Sequence, residues 1–499
     1  MNAHLTTVVD SIRAKANRSR TKIGNVLGFV LVTVVIAGTV VVFTNRDGDR
    51  TLRIAIKQGV EGVALKEIAS HFNDKGRADA GYVQVEVVEF PYDQLYEIEQ
   101  QQLAGESSPN KRFDVIMVDD PWLYSLVLDP KDPNNRRLKN LTEVLKGKTD
   151  DYFRSTLRVC QYCPDHPDSC ADYYAVPFVA NSQLFAHRTD LPKEPTWQQV
   201  IDAANRIERN QRLGYVMRIG PGNSIVTDFM PILWAYDPKS FPEHLDGHVL
   251  NNPDTAFETL TRLVSRKSLG SAGMDDFDVS AYLQVSAGRQ GGASMGIVWS
   301  AWAIMLAKLD DEVARESHQS GVNSKDNLQF GNVPSSPEPD TKASPELGAW
   351  LLAVPFNAEH KDAATAFIRF ASDFAAVELA KPESGEPAAW RANPPPRRSV
   401  LNGLANEEPF TSHKSLKDAI EWSLDHARAR PRTPCWKEIE SRLGKNLEKL
   451  LAQDAGSTDA AISQIKNDLG GLMDVTGCGA FLQEQALRKN KKLDIKPGP

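Results

Sequence analysis

Stretches in which hydrophobic and polar residues alternate are followed, early in the chain, by stretches with helical spacing. Strands are predicted at Leu52 to Ile56, Val83 to Val88 and Phe113 to Val118, with amphipathic helices at Glu61 to Phe72 and Tyr92 to Leu103 between them. This β-α-β-α-β order predicts a parallel sheet with right-handed crossovers.

A second set of strands and helices begins near residue 180. Tyr174 to Phe178 is an extended piece with a proline, and Asn181 to Arg188 has the pattern of a strand. Further strands are predicted at 215–219, 295–299, 328–334 and 348–355, and helices at 197–209, 227–236, 255–266 and 361–374. Residues 375–472 are mostly helical in pattern. The second set therefore predicts a second α/β lobe.

Two carboxylates, a proline and an indole follow the third predicted strand: Asp119, Asp120, Pro121 and Trp122. In an open α/β sheet, ligands bind beyond the carboxyl ends of the strands. Sugars have apolar C–H faces that stack on aromatic rings and hydroxyls that donate to carboxylates, so this combination favours a sugar site. The alternative is that Asp-Pro caps the next helix and the indole packs on the sheet.

Other aromatic residues also stand at predicted strand ends or turns: Trp299, Trp302 and Trp350. A single tryptophan is more often a core residue than a ligand platform. Their recurrence in both sets of strands favours a cleft between two lobes. Asn181 is a further polar candidate, with a turn-forming role as its alternative.

A long uncharged stretch, Ile23 to Phe43, matches the length of a membrane-spanning helix. Five basic residues between Arg13 and Lys22 precede it, so the N-terminus is predicted to be cytoplasmic and the body extracytoplasmic. The stretch exceeds the apolar core of a typical signal peptide, which favours an uncleaved signal anchor over a cleaved signal. The membrane itself is thus an expected partner of residues 23–43.

The five cysteines follow this segment and should face an oxidising space. Cys160, Cys163, His166 and Cys170 have zinc-knuckle spacing, but outside the membrane a local disulfide is favoured over a metal site. Cys435 and Cys478 are the natural second pair. One thiol is left over, and the sequence leaves its identity open.

The net charge of −7 hides an asymmetry, because residues 1–50 carry +4 and the remainder −11. An acidic body repels phosphate backbones, so nucleic-acid binding is excluded. Phosphate-loop and zinc-protease motifs are absent from the sequence. No cofactor and no enzymatic activity are therefore expected, with hydrolysis by Asp119 or Asp120 as the minor alternative.

Several blocks in order resemble the carbohydrate-binding extracellular solute-binding proteins of ABC importers, a family that includes maltose-binding protein. The blocks are FDVIMVDDPWL, YAVPFVANSQLFAHRTDLP followed by PTWQQV, ASMGIVWSAWA, GAWLLAVPFNAEHKDAATAFIRFAS, PPPRRSV and ARPRTPCWKEIESRLGKNLEKLLA. The resemblance covers residues 52 to about 472. It implies a two-lobed periplasmic-binding-protein fold with an interlobe cleft, a carbohydrate-like solute and an ABC permease as partner.

Two departures from the family are the retained membrane helix and the cysteine loop after Val159, which has the character of an insertion near the cleft. The resemblance places ligand contacts on Asp119 or Asp120, Asn181, Trp299 or Trp302, Gly348, Trp350 and Trp436. The full set of predicted ligand-binding residues is Gln58, Tyr92, Asp119, Asp120, Trp122, Asn181, Trp234, Trp299, Trp302, Gly348, Trp350 and Trp436.

The predicted domain organisation follows from the same patterns. A basic segment (1–22) and the anchor (23–43) precede an N-terminal lobe of residues 51–177 and 327–372, a C-terminal lobe of residues 178–326 and 373–475, and a tail at 476–499. The predicted function is a membrane-anchored binding protein that captures a sugar or related polyhydroxylated solute for an ABC permease. A periplasmic sensor or assembly protein that reuses the fold is the alternative from another class.

Overall fold

The computed structural model describes residues 51–76, 84–108, 112–129, 132, 135–162, 170–188, 191–208, 213–219, 223–242, 250–264, 279–280, 282–283, 292–319, 328–338, 342–379, 389–452 and 458–473. The predicted anchor, the basic segment before it and the C-terminal tail lie outside these residues. Within this part of the chain, none of the helices combines the length and apolar character needed to cross a membrane.

The described strands are β1 (Thr51–Lys57), β2 (Gln84–Phe90), β3 (Val115–Asp119), β4 (Val176–His187), β5 (Leu213–Val216), β6 (Ala293–Trp299), β7 (Gln329–Gly331) and β8 (Leu347–Ala353). The described helices are α1 (Val60–His71), α2 (Tyr92–Leu103), α3 (Leu123–Val127), α4 (Thr142–Leu145), α5 (Arg154–Arg158), α6 (Trp197–Glu208), α7 (Asn223–Tyr236), α8 (Asp254–Leu263), α9 (Ser300–Gln319), α10 (Lys361–Leu379), α11 (Arg398–Leu404), α12 (Lys414–His426), α13 (Trp436–Ala452) and α14 (Thr458–Met473).

The first lobe is built on β1, β2 and β3, with α1 and α2 as the connections. β1 lies between β2 and β3 and is parallel to both, as the sequence predicts. The buried residues of β3 form a continuous apolar run, which is typical of a strand covered on both faces. β8 then adds antiparallel to β3, so the complete sheet is mixed rather than wholly parallel.

β4 is shared by both lobes. Its first half, Val176 to Ser182, pairs with β8, and its second half, Gln183 to His187, pairs with β6. The sequence predicts two separate extended pieces here, whereas the structure has one strand of 12 residues. Pro177 is accommodated because the register shifts between Pro177 and Val179. The strand is therefore a direct covalent and hydrogen-bonded link between the lobes.

The second lobe continues the sheet through β6 and β5, which are parallel to each other, and β7 pairs with the end of β4. The strand order is β2-β1-β3-β8-β4-β6-β5. Helices α7, α8, α13 and α14 pack together on this side of the molecule. The expected two-lobed α/β architecture is confirmed.

Two clusters of buried apolar residues stabilise the molecule. In the first, Phe72 meets Phe367 edge to face at a ring-centroid distance of 5.3 Å, joining the end of α1 to α10. In the second, Phe229 stacks on Phe257 at 5.0 Å, and Phe241 contacts Trp436 edge to face at 5.9 Å. Such aromatic pairs contribute beyond the burial of their area.

The helices after residue 372 are divided between the lobes. α10 lies against α1 and α4, and α11 packs on α10, so both belong with the first lobe. α12 packs on β4 and β7, and α13 belongs to the second apolar cluster. The part of the chain after residue 372 thus contributes helices to both lobes, and the lobe boundaries remain a prediction.

Candidate functional site

Three aromatic side chains, each from a different element, lie together beside the carboxyl end of β3. Asp119 ends β3 and pairs with Trp350 of β8. Tyr92, at the start of α2, packs on Trp122 at 4.8 Å, and Trp350 meets both rings edge to face at 6.0–6.1 Å. Trp122 is 1% exposed and Trp350 6% exposed. The structure therefore brings together four residues that the sequence singles out, Tyr92, Asp119, Trp122 and Trp350, but it buries them.

Arg430, which the sequence did not single out, binds the carboxylates of both Asp119 and Asp120. Nη2 of Arg430 donates to Asp119 Oδ1 at 2.8 Å and to Asp120 Oδ2 at 3.0 Å. The guanidinium also forms longer ion pairs with Glu346, at 3.4 Å, and with Glu440, at 3.9 Å. Asp119 further accepts a hydrogen bond of 2.7 Å from the Tyr92 hydroxyl. In this conformation the two aspartates bind protein groups, which take the place of the predicted ligand hydroxyls.

The carboxyl groups around Arg430 outnumber its single positive charge. Burial raises the pKa of Asp120 to about 7, and burial likewise raises the pKa of Glu440 to about 7; in both cases the Arg430 guanidinium acts in the opposite direction. Burial also raises the pKa of Glu346 well above its ordinary value. Oδ1 of Asp120 and both Glu346 oxygens accept no hydrogen bond within the described part of the chain. The site is thus rich in acceptors that lack donors.

Glu99 of α2 adds a further buried carboxyl behind Asp119. Neither of its oxygens has a hydrogen-bond partner among the described residues. Burial and then the nearby Asp119 charge raise its pKa well above the ordinary value. An uncompensated buried carboxylate is costly, so this group is held in its neutral form.

Trp299 of the second lobe lies against β8 of the first. A Cβ atom on Gly348 would come within 2.8 Å of the far edge of the Trp299 indole, so only glycine leaves room for this contact. The guanidinium of Arg218 covers the ring at 5.1 Å from its centroid. Asp228 holds that arginine through its Nε at 3.0 Å and its backbone N–H at 2.7 Å. Gly348 and Trp299, both predicted, are therefore in contact across the lobes.

Asn181 lies on β4 where the strand passes between the lobes. Its Oδ1 accepts a hydrogen bond of 3.0 Å from the backbone N–H of Ala301, in the first turn of α9, and its amide reaches Glu61 at 3.5 Å. Glu61 in turn binds Lys57 at 3.1 Å, and that ammonium lies 5.4 Å from the Trp350 ring centroid. The Asn181 side chain thus connects α1 to α9 through protein contacts.

The remaining predicted residues are more scattered. Gln58 is exposed at the end of β1, and Trp302 is half-buried on α9. Trp234 belongs to the second apolar cluster and donates to the Ser240 carbonyl at 3.1 Å. Trp436 is buried and donates to Glu440 Oε1 at 3.1 Å, which places it beside the Arg430 group. The contacts of Trp234 are those of a core residue.

Arg430, Glu346, Glu440 and Arg218 are the site residues that sequence reasoning missed. The sequence offers a weak signal for the first of them, since Arg430 and Arg432 flank Pro431 in a break between two helices. Nothing in the pattern indicates that this segment lies between the lobes, over the end of β3. The pairing is a tertiary contact between residues about 310 positions apart.

The structure describes only some of the residues in the predicted disulfides and the predicted zinc site. Cys160 is a free, buried thiol, and burial raises its pKa well above the ordinary value. Cys163, His166 and Cys478 lie outside the described residues, so the disulfide pairs and the zinc alternative stay predictions. Among the residues that the structure describes, no group of three or more His, Cys, Asp or Glu side chains could hold a metal ion.

Comparison with known proteins agrees with this architecture. The family model for bacterial extracellular solute-binding proteins matches residues 57–376. Similar solved structures include maltose-bound MalE3 of T. maritima, which is 18% identical with a TM-score of 0.62. The match covers 85% of this chain and 99% of that one. A ribitol complex of a solute-binding protein from Agrobacterium radiobacter K84 is 18% identical with a TM-score of 0.63, covering 85% of this chain and 98% of that one.

A third similar structure, a D-mannitol complex of a solute-binding protein from Agrobacterium vitis S4, has a TM-score of 0.60 at 18% identity, with 85% of this chain and 98% of that chain covered. At this identity the similarities show the fold. No curated protein matches the sequence significantly. Because the family model spans more than half of the sequence, the chain belongs to the bacterial extracellular solute-binding proteins.

Proposed function

We propose that this protein captures a sugar or related polyhydroxylated solute between its lobes and delivers it to the permease of an ABC transporter. The observation that carries the proposal is the contact of Trp299, at the end of β6, with Gly348 of β8. The edge of an aromatic ring of one lobe thus lies against a strand of the other lobe, at a position two residues before Trp350. Aromatic faces of this kind stack on the C–H surface of a sugar ring.

Charged and polar groups surround these rings and would bind the hydroxyls. Lys57 and Glu61 border Trp350 on the first lobe, and Arg218 covers Trp299 on the second. A solute that touches both groups is bound better when the lobes approach each other, so it biases the molecule toward the closed form. The similar structures contain maltose, ribitol and D-mannitol as ligands of those proteins, which supports this class of solute.

The proposal includes anchoring of the body on the extracytoplasmic side of the membrane by residues 23–43. The sequence supports this anchoring, because the segment is apolar over the length of a membrane-spanning helix and basic residues precede it. A body held at the membrane surface would deliver its solute to a permease without free diffusion.

A thermal-shift screen of the full-length protein in mild detergent tests the ligand class. The panel contains maltose, D-mannitol, ribitol and D-tagatose, with amino acids as the comparison class. A ligand at about 100 times its Kd adds about 2.7 kcal/mol to the free energy of unfolding and raises the midpoint. The assignment fails if no polyhydroxyl compound raises the midpoint.

Two alanine variants locate the binding surface. Trp299→Ala removes the proposed platform and should abolish the shift. Trp422→Ala is the matched control, because this partly buried indole stacks on His426 of its own helix, α12, and should leave the shift unchanged. Equal shifts in the two variants would place the ligand elsewhere.

One observation favours a second candidate, a sensor or assembly protein that uses this fold without transport. Asp119 and Asp120, the residues best suited to accept solute hydroxyls, are already bound by Arg430. This candidate predicts a stable protein partner and no shift with any small solute. Co-purification of the full-length protein from its native membrane, combined with the screen above, separates the two.

A further inference from the structure

We propose that the ion cluster around Arg430 is a proton-dependent latch, which holds the two lobes together at acid pH and releases them at alkaline pH. The Arg430 cluster consists of Arg430, Asp119, Asp120, Glu346 and Glu440. This property goes beyond solute capture and does not depend on which solute is bound.

The cluster joins elements from both lobes. Asp119 ends β3 of the first lobe and Asp120 follows it, whereas Glu440 lies on α13, within the second lobe. Arg430 lies on the segment between α12 and α13, and its guanidinium contacts both sides. Separation of the lobes would pull Glu440 away from Asp119 and expose the whole cluster to water.

A second contact beside the cluster joins the same two lobes. Lys437, one residue into α13, forms an ion pair of 3.1 Å with Asp93 of α2. Its ammonium also lies 4.6 Å from the Tyr92 ring centroid and 5.7 Å from that of Trp122. The start of α13 is therefore the part of the second lobe that rests on the aromatic group of the first.

The charges that face the cluster do not balance it. The groups that act on it from the surrounding elements are Tyr92 and Glu99 on α2, Cys160 after α5, Arg218 after β5, and Lys437 on α13. Four carboxyls share one buried guanidinium, and the side chains of Arg430, Asp120 and Glu346 are at most 3% exposed. With every carboxyl ionised, the dry contact between the lobes would carry surplus negative charge, which is strongly unfavourable.

Protons supply the missing positive charge. In the joined state the pKa values of Asp120 and Glu440 are raised to about 7, with burial as the first cause. Once hydrated by separation of the lobes, these groups return toward their ordinary values of 3.8 and 4.5. The joined state therefore binds more protons, and a rise in pH from 6 to 8 lowers the ratio of joined to separated molecules about 10-fold for each such group.

The test measures the distance between the lobes without ligand, so its failure is distinguishable from failure of the sugar assignment. A nitroxide is attached through a genetically encoded ketone side chain at Val377 of α10, which is 54% exposed, and at Lys239 after α7, which is also exposed. Pulsed electron resonance of the full-length protein is recorded at pH 6 and at pH 8. A longer distance should gain at least 10-fold in relative population at pH 8.

Isosteric variants separate proton binding from other effects of pH. Glu440→Gln mimics the protonated group and keeps an oxygen for the Trp436 N–H. Because Asp120 still titrates in this variant, the longer distance should gain about 10-fold less between pH 6 and pH 8 than it does in the wild type. Asp120→Asn, which keeps an oxygen for the Ala349 N–H, is the second variant in case the first does not fold. Glu143→Gln, on an exposed pair with Lys146, is the matched control and should behave as the wild type.

The proposal is overturned if the wild-type distance distribution is the same at both pH values. It is also overturned if every cluster variant that folds gains as much of the longer distance between pH 6 and pH 8 as Glu143→Gln does. A gain about 10-fold smaller than that of Glu143→Gln in either cluster variant supports it.

Discussion

Replacement of Gly348 by alanine tests the contact between the lobes at a single methyl group. The added Cβ would lie 2.8 Å from two carbons of the Trp299 ring, whereas ordinary contacts of this kind begin near 3.4 Å. Gly348 lies in the interior of β8, where the backbone is fixed by pairing with β4. The strand cannot yield easily, so the partly exposed indole must move away from it.

The expected cost is that of overpacking a well-packed site, about 1–3 kcal/mol. Alanine also restricts the unfolded chain more than glycine does, which offsets about 0.4–1 kcal/mol of this cost. Gly331→Ala in β7 is the matched control, because its Cβ would meet nothing closer than 3.8 Å. The difference between the two variants isolates the steric clash, since the unfolded-state effect is common to both.

The assay is urea unfolding of the full-length variants, followed by tryptophan fluorescence and circular dichroism. Gly348→Ala should unfold at lower urea than Gly331→Ala, and Trp299→Leu in the same chain should relieve most of the difference. If the two glycine variants are equally stable, or if the loss persists without the indole, the two residues are not packed as described.

Three further predictions follow from the buried charges and the thiol. Arg430→Met leaves buried carboxyls uncompensated and should lower the free energy of unfolding, measured by urea titration, by about 3–5 kcal/mol. The control Arg442→Met removes an exposed ion pair and should change it by less than about 1 kcal/mol. Similar losses in the two variants would contradict this prediction. Because the pKa values of Asp120 and Glu440 are about 7 in the folded protein and near 4 when unfolded, the folded state binds more protons between about pH 4 and pH 7. Stability should therefore fall as the pH rises from 5 to 7, by up to about 1.4 kcal/mol per pH unit for each group, and a rise in urea midpoint over this range would refute the assignment. Cys160 should resist a thiol reagent in the native protein and react on unfolding, because the thiol is buried and its pKa is raised; rapid native labelling of Cys160, located by peptide mapping, would show that the loop around it opens.

Local patterns were sufficient to predict most of the elements. The alternation at 52–56 and the helical spacing at 92–103 correspond closely to β1 and α2, because the large apolar residues of each element lie on one face and so determine its period. The two pieces predicted around 174–188 proved to be one strand. Pro177 interrupts the pattern in sequence, but the register shift at that point lets pairing continue on both sides.

The site was harder to predict, because it depends on contacts between distant segments. The sequence places Asp119, Asp120 and Trp122 side by side at the end of β3, and the antiparallel pairing of β3 with β8 brings Trp350 to Asp119. Their role in ligand binding stays a prediction. The charge partner of the two aspartates was not predicted, because Arg430 reaches them from a segment that has no distinctive local pattern. Trp234 shows the opposite case, in which an indole that looked available in sequence packs inside the second apolar cluster.

The position of β8 in the chain has a consequence for how the molecule is assembled during synthesis. β3 and the first half of β4 are made early, yet the strand that lies between them comes only at Leu347–Ala353, after β5, β6 and β7 have been made. Until then both strands present unpaired edges, which are open to aggregation and to chaperones. The ribosome must therefore produce about 350 residues before the first half of the molecule can finish folding.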